Sequence, residues 1–329
     1  MHMTPKLLAA GAVLGLLLAM QSASASDHKT LLKANKFPEA ERAAAAKLAQ
    51  EPANADAMVA RTLAILGTGD AARIPEAVKQ AEQCVAVQAA NARCHVALGK
   101  ALGAKAMNGG MMSAMGYAGD IRDSFKKGVE LDARNVDARV SLMQFYMMAP
   151  GIMGGGTSKA EALAAQTASV NPEAGKLMLA MLDIGAGKLA KAEAGVLAVR
   201  AGSDEDLQDH QEDQLANVAM RYVMEKKYLE GERVFRDVVK RYPNNMVAAY
   251  GIARAQQEQG KHREALLSLD QALIKTPKPH VHYRIGQSHQ ALGEKAKAVA
   301  AYEKALASRT GLSSKFRSDA EDQLKALKG

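Results

Sequence analysis

Residues 212–243 read EDQLANVAMRYVMEKKYLEGERVFRDVVKRYP, and the same pattern of residue types returns twice before Thr310. Small residues recur at intervals of 34 and then 33 positions, at Ala219, Ala253 and Gly286. Bulky residues recur in the same phase, at Phe235, Leu269 and Tyr302. A nearly constant interval of this length is the sequence signature of a protein built from stacked structural repeats.

Each repeat predicts a pair of helices. In the first repeat, the apolar residues between Leu215 and Tyr222 follow the 3, 4, 7 spacing of a helix with one apolar face. The apolar residues between Gly231 and Val238 predict a second helix, which Pro243 ends because proline lacks an N–H and clashes with the preceding turn. One pair cannot bury its own apolar face, so at least three pairs must stack.

This order of small, aromatic, small and proline residues, repeated in phase, resembles the tetratricopeptide repeat family in its exported bacterial type. The resemblance implies an all-α fold, a right-handed solenoid of stacked antiparallel helix pairs, whose concave face binds a protein or peptide. The lysine and asparagine set with which some members clamp a chain-terminal carboxylate is absent, so that ligand is not expected. In the last two full repeats, the residues expected to contact a partner are Val247, Tyr250, Arg254, Gln257, His280, Tyr283, Gln287 and Gln290.

The pattern divides the chain into four segments. Residues 1–25 form a targeting segment, and residues 26–211 predict degenerate helix pairs with methionine- and glycine-rich inserts. Residues 212–312 predict three full repeats, and residues 313–329 predict a capping helix that covers the open end of the stack. No segment shows the signals of a β-strand.

Residues 1–25 have the layout of a secretory signal peptide. Lys6 precedes an unbroken apolar run from Leu7 to Met20, and the small residues Ala23-Ser24-Ala25 provide a cleavage site. We expect the mature protein to begin near Ser26, to be periplasmic in a cell with two membranes, and to contact the membrane only indirectly. A retained, uncleaved anchor is the alternative.

The composition argues against several classes of function. The formal net charge is +8 for 329 residues, charges of both signs are interspersed and aromatic residues are few, so nucleic-acid binding is not expected. Gly185-Ala186-Gly187-Lys188 lacks the earlier glycine and the following serine or threonine of a phosphate-binding loop. His282 and His289 stand at positions where the repeat expects packing residues, so no metal site is expected. The sequence therefore predicts a non-catalytic protein without a cofactor.

Two of the predicted helix pairs have a longer link between their first and second helices than the other pairs have. One predicted link lies between Leu102 and Asp120 and contains residues 107–117, and the other contains residues 149–156. Eight of the 17 methionines fall between Met107 and Met153. A methionine left in water forgoes about 1.5–3 kcal/mol of burial, so we expect this cluster to be covered.

The sequence leaves open what covers these methionines. They fold back as core, or they form an apolar pocket, for which flexible thioethers and glycine hinges are suited. Cu(I) binding is disfavoured because no histidine is interleaved. The link before Lys159 is similar to that of bacterial envelope proteins, including the helical partner subunit of some TRAP transporters. In the pocket interpretation, the alternative function is binding or transfer of an apolar, lipid-like small molecule by Met107, Met111, Met112, Met115, Tyr117, Met147, Met148 and Met153.

The chain has two cysteines, Cys84 and Cys94. An exported protein meets an oxidising compartment, where disulfides form and persist. Both cysteines are equidistant from a turn near Ala89, and antiparallel helices leaving that turn would bring them within the range of about 7 Å that a bridge needs. We therefore expect a disulfide, and two buried, reduced cysteines are the alternative.

Overall fold

The computed structural model describes residues 28–275, 277–308 and 311–329, so the predicted signal peptide lies outside the described residues. All regular structure within the described residues is helical, which confirms the predicted all-α class. None of the described helices is both long enough and apolar enough to span a bilayer. The seventeen α-helices of the described residues are α1 His28–Lys33, α2 Phe37–Gln50, α3 Ala55–Gly67, α4 Ile74–Val87, α5 Ala92–Asn108, α6 Gly110–Leu131, α7 Val136–Met148, α8 Thr157–Val170, α9 Pro172–Gly185, α10 Leu189–Leu197, α11 Glu205–Met224, α12 Tyr228–Arg241, α13 Ala248–Glu258, α14 His262–Lys275, α15 Pro279–Ala291, α16 Lys295–Ala307 and α17 Ser314–Lys328.

The chain folds as two compact units, divided between Leu131 and Asp132. In the first unit, each of the helices α1 to α6 packs against the next, and α1, α3 and α5 also pack in turn. In the second unit, α7 to α17 pack in sequence, and each odd-numbered helix also packs against the next odd-numbered one. Within the second unit the odd-numbered helices therefore form one layer, against which the even-numbered helices lie. This is the predicted stack of antiparallel helix pairs.

Turn chemistry determines where the helices begin and end. The Asn135 side-chain oxygen accepts a hydrogen bond from the Ala138 N–H at 2.9 Å and so caps α7. Gly260 and Gly293 follow α13 and α15 at equivalent repeat positions, and both take φ +73°, a left-handed conformation that glycine adopts without strain. Lys226 takes φ +62° at the same position of the first repeat, which costs a residue with a Cβ about 1–2 kcal/mol.

The bulky repeat positions lie on small residues of neighbouring helices. Phe235 of α12 is fully buried, and a Cβ added to Gly251 of α13 would lie 2.2 Å from the Phe235 Cζ. Tyr302 of α16 lies over Gly286 of α15 in the same way, and a Cβ there would lie 2.7 Å from the Tyr302 Cδ1. Glycine at these positions therefore lets an aromatic ring contact the backbone of the adjacent helix directly.

The first insert is helical, and the prediction of a link at residues 107–117 is wrong. Helix α5 continues to Asn108 and α6 begins at Gly110, so the connection is Gly109 alone. Gly110 takes φ +76°, which turns the chain at the start of α6. The insert lengthens an antiparallel pair because methionine and alanine favour helix, whereas isolated glycines only weaken it. The second link is a loop, as predicted, with a short 3-10 turn at Gly151–Met153.

The predicted capping helix is α17. Phe316 stacks on Tyr283 of α15, with ring centroids 4.7 Å apart, and Ala320 is fully buried. The Ser313 hydroxyl accepts a hydrogen bond from the Phe316 N–H and caps the start of the helix. Helix α17 therefore covers the apolar end of the last repeat, as capping helices of repeat proteins do.

The predicted disulfide between Cys84 and Cys94 is present in the first unit. It joins α4 to α5, and the two Cα atoms are 5.4 Å apart, well within the bridging range. Both cysteines are fully buried, so the bridge lies inside the packed helix pair.

Candidate partner-binding face

Four of the predicted partner residues belong to α13 and the residue before it, in the second unit. Val247, Tyr250, Arg254 and Gln257 are spaced by three, four and three residues, so they form one stripe along the helix. Val247 is 49% exposed, and the other three side chains are partly exposed. The stripe is therefore open to a partner from solvent.

Side chains of α15 continue this surface. The His280 ring meets the Tyr250 ring edge-on, with centroids 4.9 Å apart. The Gln257 amide donates hydrogen bonds to the Arg284 carbonyl oxygen at 2.7 Å and to the Ser288 hydroxyl at 2.6 Å. The structure thus brings together side chains from two successive repeats.

Two of the predicted partner residues contact the capping helix. Tyr283 is buried, and its hydroxyl donates a hydrogen bond to the Asp319 carboxylate at 2.6 Å. The Gln290 amide donates to the Gln323 side-chain oxygen at 2.6 Å. Gln287 is partly exposed, and its amide donates to the Tyr283 hydroxyl at 2.9 Å. Tyr283 and Gln290 therefore already have partners within the chain.

Sequence reasoning missed the part of this surface that α11 contributes. The Arg254 Nη1 donates to the Met220 sulfur at 3.3 Å, which joins α11 to the stripe on α13. The repeat interval offers a signal for this position, because Met220 precedes Arg254 by 34 residues. We call the combined surface the odd-helix face, and its residues are Asn217, Met220, Arg221, Met224, Val247, Tyr250, Arg254, Gln257, His280, Arg284 and Gln287.

The odd-helix face carries positive charge from three arginines. Arg221, Arg254 and Arg284 form no ion pair with a carboxylate of the described residues, and the Nε–H of each is buried without an acceptor there. Burial lowers the pKa of His280, and the positive charges of Lys278 and Arg284 lower it further, which favours the neutral imidazole. The positive charge of the face near these residues therefore comes from arginine and lysine side chains.

The N-terminal half of α11 has the opposite charge. Asp204 caps this helix, and the acidic run to Asp213 forms its start, where carboxylates are favoured by the helix dipole. Burial raises the pKa of the Glu212 carboxyl, and a hydrogen bond from the Asn245 amide, at 2.7 Å, opposes that rise. Asp213 lies eight residues before Arg221, a distance of about 12 Å along a helix. The acidic and the arginine-bearing ends of α11 are therefore separate.

The methionines of the first insert lie at the tip of the α5–α6 pair. Met107, Met111, Met112 and Met115 are between 51% and 80% exposed. The interpretation of these four residues as core is therefore wrong. The Lys105 ammonium lies over the Tyr117 ring of the same pair, 4.7 Å from its centroid.

A cavity of about 880 Å³ lies among α7, α8, α9 and α10 of the second unit. Met147 lines it, and an apolar wall is formed by Leu179 and Leu182. Met148 is exposed and Met153 is partly exposed, and neither lines the cavity. Sequence reasoning did not find this space, because the small residues that leave it open resemble ordinary helix positions: Ala180, Ala194, Gly195 and Ala198.

The histidines of the last repeats do not form a metal centre in the part of the chain that the structure describes. No group of three or more His, Cys, Asp or Glu side chains is placed there to hold a metal ion. The His289 Nδ1 is hydrogen-bonded to the Glu294 carboxylate at 2.6 Å. Burial lowers the pKa of His282, and the charge of Lys304 adds to this effect. These histidines therefore serve packing and helix-end contacts.

The repeats match a known family model. The model described as tetratricopeptide repeat matches residues 222–278 and, again, residues 250–313. No curated protein is significantly similar in sequence to the chain.

Solved structures share the fold at low sequence identity. Yeast Tom70 aligns with 99% of this chain and 67% of its own, at a TM-score of 0.60 and 12% identity. Human IFIT1, solved as a dimer with m7Gppp-AAAA, aligns with 96% of this chain and 75% of its own, at a TM-score of 0.53 and 16% identity. A chain of the APC/C hetero-tetramer Cut9–Hcn1 aligns with 95% of this chain but only 58% of its own, at a TM-score of 0.50 and 14% identity. The family model thus identifies residues 222–313 as tetratricopeptide repeats, and the solved structures share the all-helical fold of the chain.

Proposed function

We propose that this protein is an exported, non-catalytic scaffold that binds a protein or peptide of the cell envelope on its odd-helix face, the concave face in this family. The observation that carries the proposal is the contact between side chains of three successive repeats on that face. Arg254 contacts Met220 of α11, and Tyr250 and Gln257 contact residues of α15. A partner lying across α11, α13 and α15 would meet one continuous surface.

Two observations support export. The apolar run that precedes Ala25 has the length and flanks of a cleaved signal rather than of a membrane span. The Cys84–Cys94 disulfide fits an oxidising compartment, where such bonds persist. An envelope location would make an envelope protein the natural partner of the face.

Site-specific photo-crosslinking tests the proposed face. A photoreactive amino acid in place of Val247 should form adducts with a discrete envelope protein in irradiated cells, because this half-exposed position lies at the edge of the face. The matched control replaces Ile274 of α14, which is 84% exposed on an even-numbered helix. Adducts are detected by blotting and identified by mass spectrometry.

We expect a specific adduct at position 247 that excess unmodified protein suppresses, and no such adduct at position 274. The same adducts at both positions, or none at position 247, would contradict binding on the odd-helix face.

A second candidate function is binding of an apolar small molecule, and the cavity among α7 to α10 favours it. Ligand sites in proteins usually measure about 300–1,000 Å³ and are lined mainly by apolar groups. The cavity of about 880 Å³ has this size, and its wall combines Met147, Leu179, Leu182 and small residues with a charged rim of Glu161, Lys176, Asp183, Lys188 and Lys191. Among the methionines predicted for this function, Met147 is therefore the one on which we base the candidate site.

Filling the cavity tests this second candidate. Ala194→Phe should weaken binding of the apolar fluorescent dye N-phenylnaphthylamine about tenfold, because the new ring would occupy space that the dye needs. The control is the pair Met111→Ser and Met112→Ser, at exposed positions of the α5–α6 tip, which should change neither dye affinity nor melting temperature. Loss of dye binding in the control alone would move the apolar site to the tip.

A further inference from the structure

We propose that the odd-helix face recognises an acidic segment of its partner, in which Arg221, Arg254 and Arg284 bind side-chain carboxylates. This partner chemistry rests on the proposed function, since it concerns the same face. Each of three successive odd-numbered helices supplies one of these arginines: α11, α13 and α15. The face would thus contribute one guanidinium per repeat.

The pairing of arginines differs between helix α12 and the odd-helix face. On α12, Arg233 pairs with Glu193 at 2.8 Å, Arg236 pairs with Glu232 at 2.6 Å, and Arg241 pairs with Asp237 at 2.7 Å. On the odd-helix face, none of the three arginines has a carboxylate partner among the described residues. The positive charge is therefore balanced within the chain on the even-numbered helix and left unbalanced on the face.

Two of the three arginines reach across to the preceding odd-numbered helix. Arg254 reaches back to α11, where its Nη1 donates to the Met220 sulfur at 3.3 Å, next to Arg221. Arg284 reaches back to α13 in the same way, where its Nη1 lies 3.5 Å from the Gln257 side-chain oxygen. Arg254 and Arg284 thus each reach the preceding odd-numbered helix, and Arg221 lies on α11 next to the residue that Arg254 contacts.

The spacing of the helices fits an extended peptide. Packed helices lie about 8–10 Å apart, and one three-residue turn of an extended polyproline II segment spans about 9 Å. A segment of this conformation that crosses α11, α13 and α15 would therefore place every third side chain on the same side, near successive arginines. Carboxylates suit these positions because the guanidinium fork donates two parallel hydrogen bonds to one carboxylate.

The hydrogen-bonding state of the arginines also leaves room for a ligand. A guanidinium has five N–H donors and keeps its charge at any physiological pH. The structure leaves the Nε–H of Arg221, Arg254 and Arg284 buried without an acceptor in the described residues. An incoming carboxylate would pair with the Nη groups of these partly exposed side chains and supply the negative charge that the chain itself does not.

Acidic groups of the same helices do not already fill this role. Asp213 lies on α11 at about 12 Å along the helix from Arg221, at the end of the acidic run. Glu258 is exposed one turn beyond Arg254, and no ion pair joins the two among the described residues. At the other end, Lys278 adds a positive charge near His280.

Selection from a random peptide library tests the proposal. The probe is a library of 12-residue peptides with amidated C-termini, which removes any contribution from a chain-terminal carboxylate. Peptides retained by the immobilised full chain are sequenced, and we expect Asp and Glu to be enriched among them, with a preferred spacing of three residues. Replacing these acids by Asn and Gln in one selected peptide should weaken its binding about tenfold or more, and added salt should weaken it further.

Variants assign that preference to the three arginines. The triple change Arg221→Gln, Arg254→Gln and Arg284→Gln should abolish the enrichment of acids. A charge-matched control changes three exposed cations of even-numbered helices, Lys240→Gln, Arg263→Gln and Lys304→Gln, and should retain the enrichment. Because the arginines are partly buried, a third variant replaces them with lysine, and we expect a weaker preference for acids to return with the charge. Circular dichroism and melting confirm that each variant is folded.

The outcomes separate this proposal from the proposed function. Enrichment of neutral or apolar peptides would overturn the acidic partner and leave a peptide-binding face in place. Retention of acidic peptides by the triple glutamine variant would show that other residues bind them and would also overturn it. If no peptide is enriched, the acidic segment is rejected, and the adducts at position 247 decide the binding face independently.

Discussion

Replacing Phe235 by alanine should lower the free energy of unfolding of the second unit by about 3–5 kcal/mol. The Phe235 ring is fully buried and lies directly on the α13 backbone at Gly251, where an added Cβ would be only 2.2 Å from the ring. Removing the ring leaves a cavity between α12 and α13 that a backbone held by its neighbours does not fill. Urea unfolding, followed by far-ultraviolet circular dichroism, measures the change.

Leu267→Ala is the matched control for this prediction. Leu267 lies in the next repeat and is 68% exposed, so its truncation should change stability by less than about 0.5 kcal/mol. A loss of less than about 1 kcal/mol for Phe235→Ala would show that the aromatic position does not hold the two repeats together.

Much of the fold could be predicted because the same packing problem recurs in every repeat. The sequence predicts a capping helix within residues 313–329, and α17 spans Ser314–Lys328 in the structure. It also places Gly286 and Tyr302 at recurring positions, and the Tyr302 ring indeed lies against Gly286, where a Cβ would be 2.7 Å away. An apolar residue that must meet the next helix returns at a fixed interval, and this interval is visible without a structure.

The tip of the α5–α6 pair could not be predicted for the opposite reason. Its side chains are exposed, so no neighbouring helix imposes an apolar period on them. Without that period, the glycines at positions 109, 110 and 116 indicate a loop, although only Gly109 connects the helices. Intrinsic helix propensity decides the structure here, and it acts too weakly on each residue to be read from the sequence with certainty.

The repeat interval also predicts some features of the candidate site and leaves others hidden. The repeat interval places Val247, Tyr250 and Arg254 on one helix face, but it does not reveal that Tyr283 contacts the capping helix. The ion-pair and hydrogen-bond partners of a charged side chain are equally hidden, because they depend on which residues of the folded chain lie opposite. Arg139 illustrates this point: it is 2% exposed, burial lowers its pKa, and its acceptors are the Ala133 carbonyl oxygen and the Thr167 hydroxyl.

Reducing the Cys84–Cys94 disulfide should destabilise the first unit by about 2–3 kcal/mol. The bridge closes a short loop, with ten residues of sequence separation between the cysteines. Its contribution comes mainly from the conformations that it removes from the unfolded chain, and this entropy grows only with the logarithm of loop length. The bridge therefore adds to the packing of α4 on α5 without replacing it.

Urea unfolding of the full chain with and without a phosphine reductant measures this contribution. The intact mass after alkylation must show two labelled thiols in the reduced sample. The double variant Cys84→Ala and Cys94→Ala is the control, because its unfolding should not respond to the reductant. Equal midpoints for the oxidised and reduced protein would contradict the prediction, since the oxidised unfolded chain would then be no more restricted than the reduced one. We expect the reductant to shift the unfolding transition of the first unit, α1 to α6, and not that of the second. The bridge links two helices of the first unit and acts on the unfolded state of that unit.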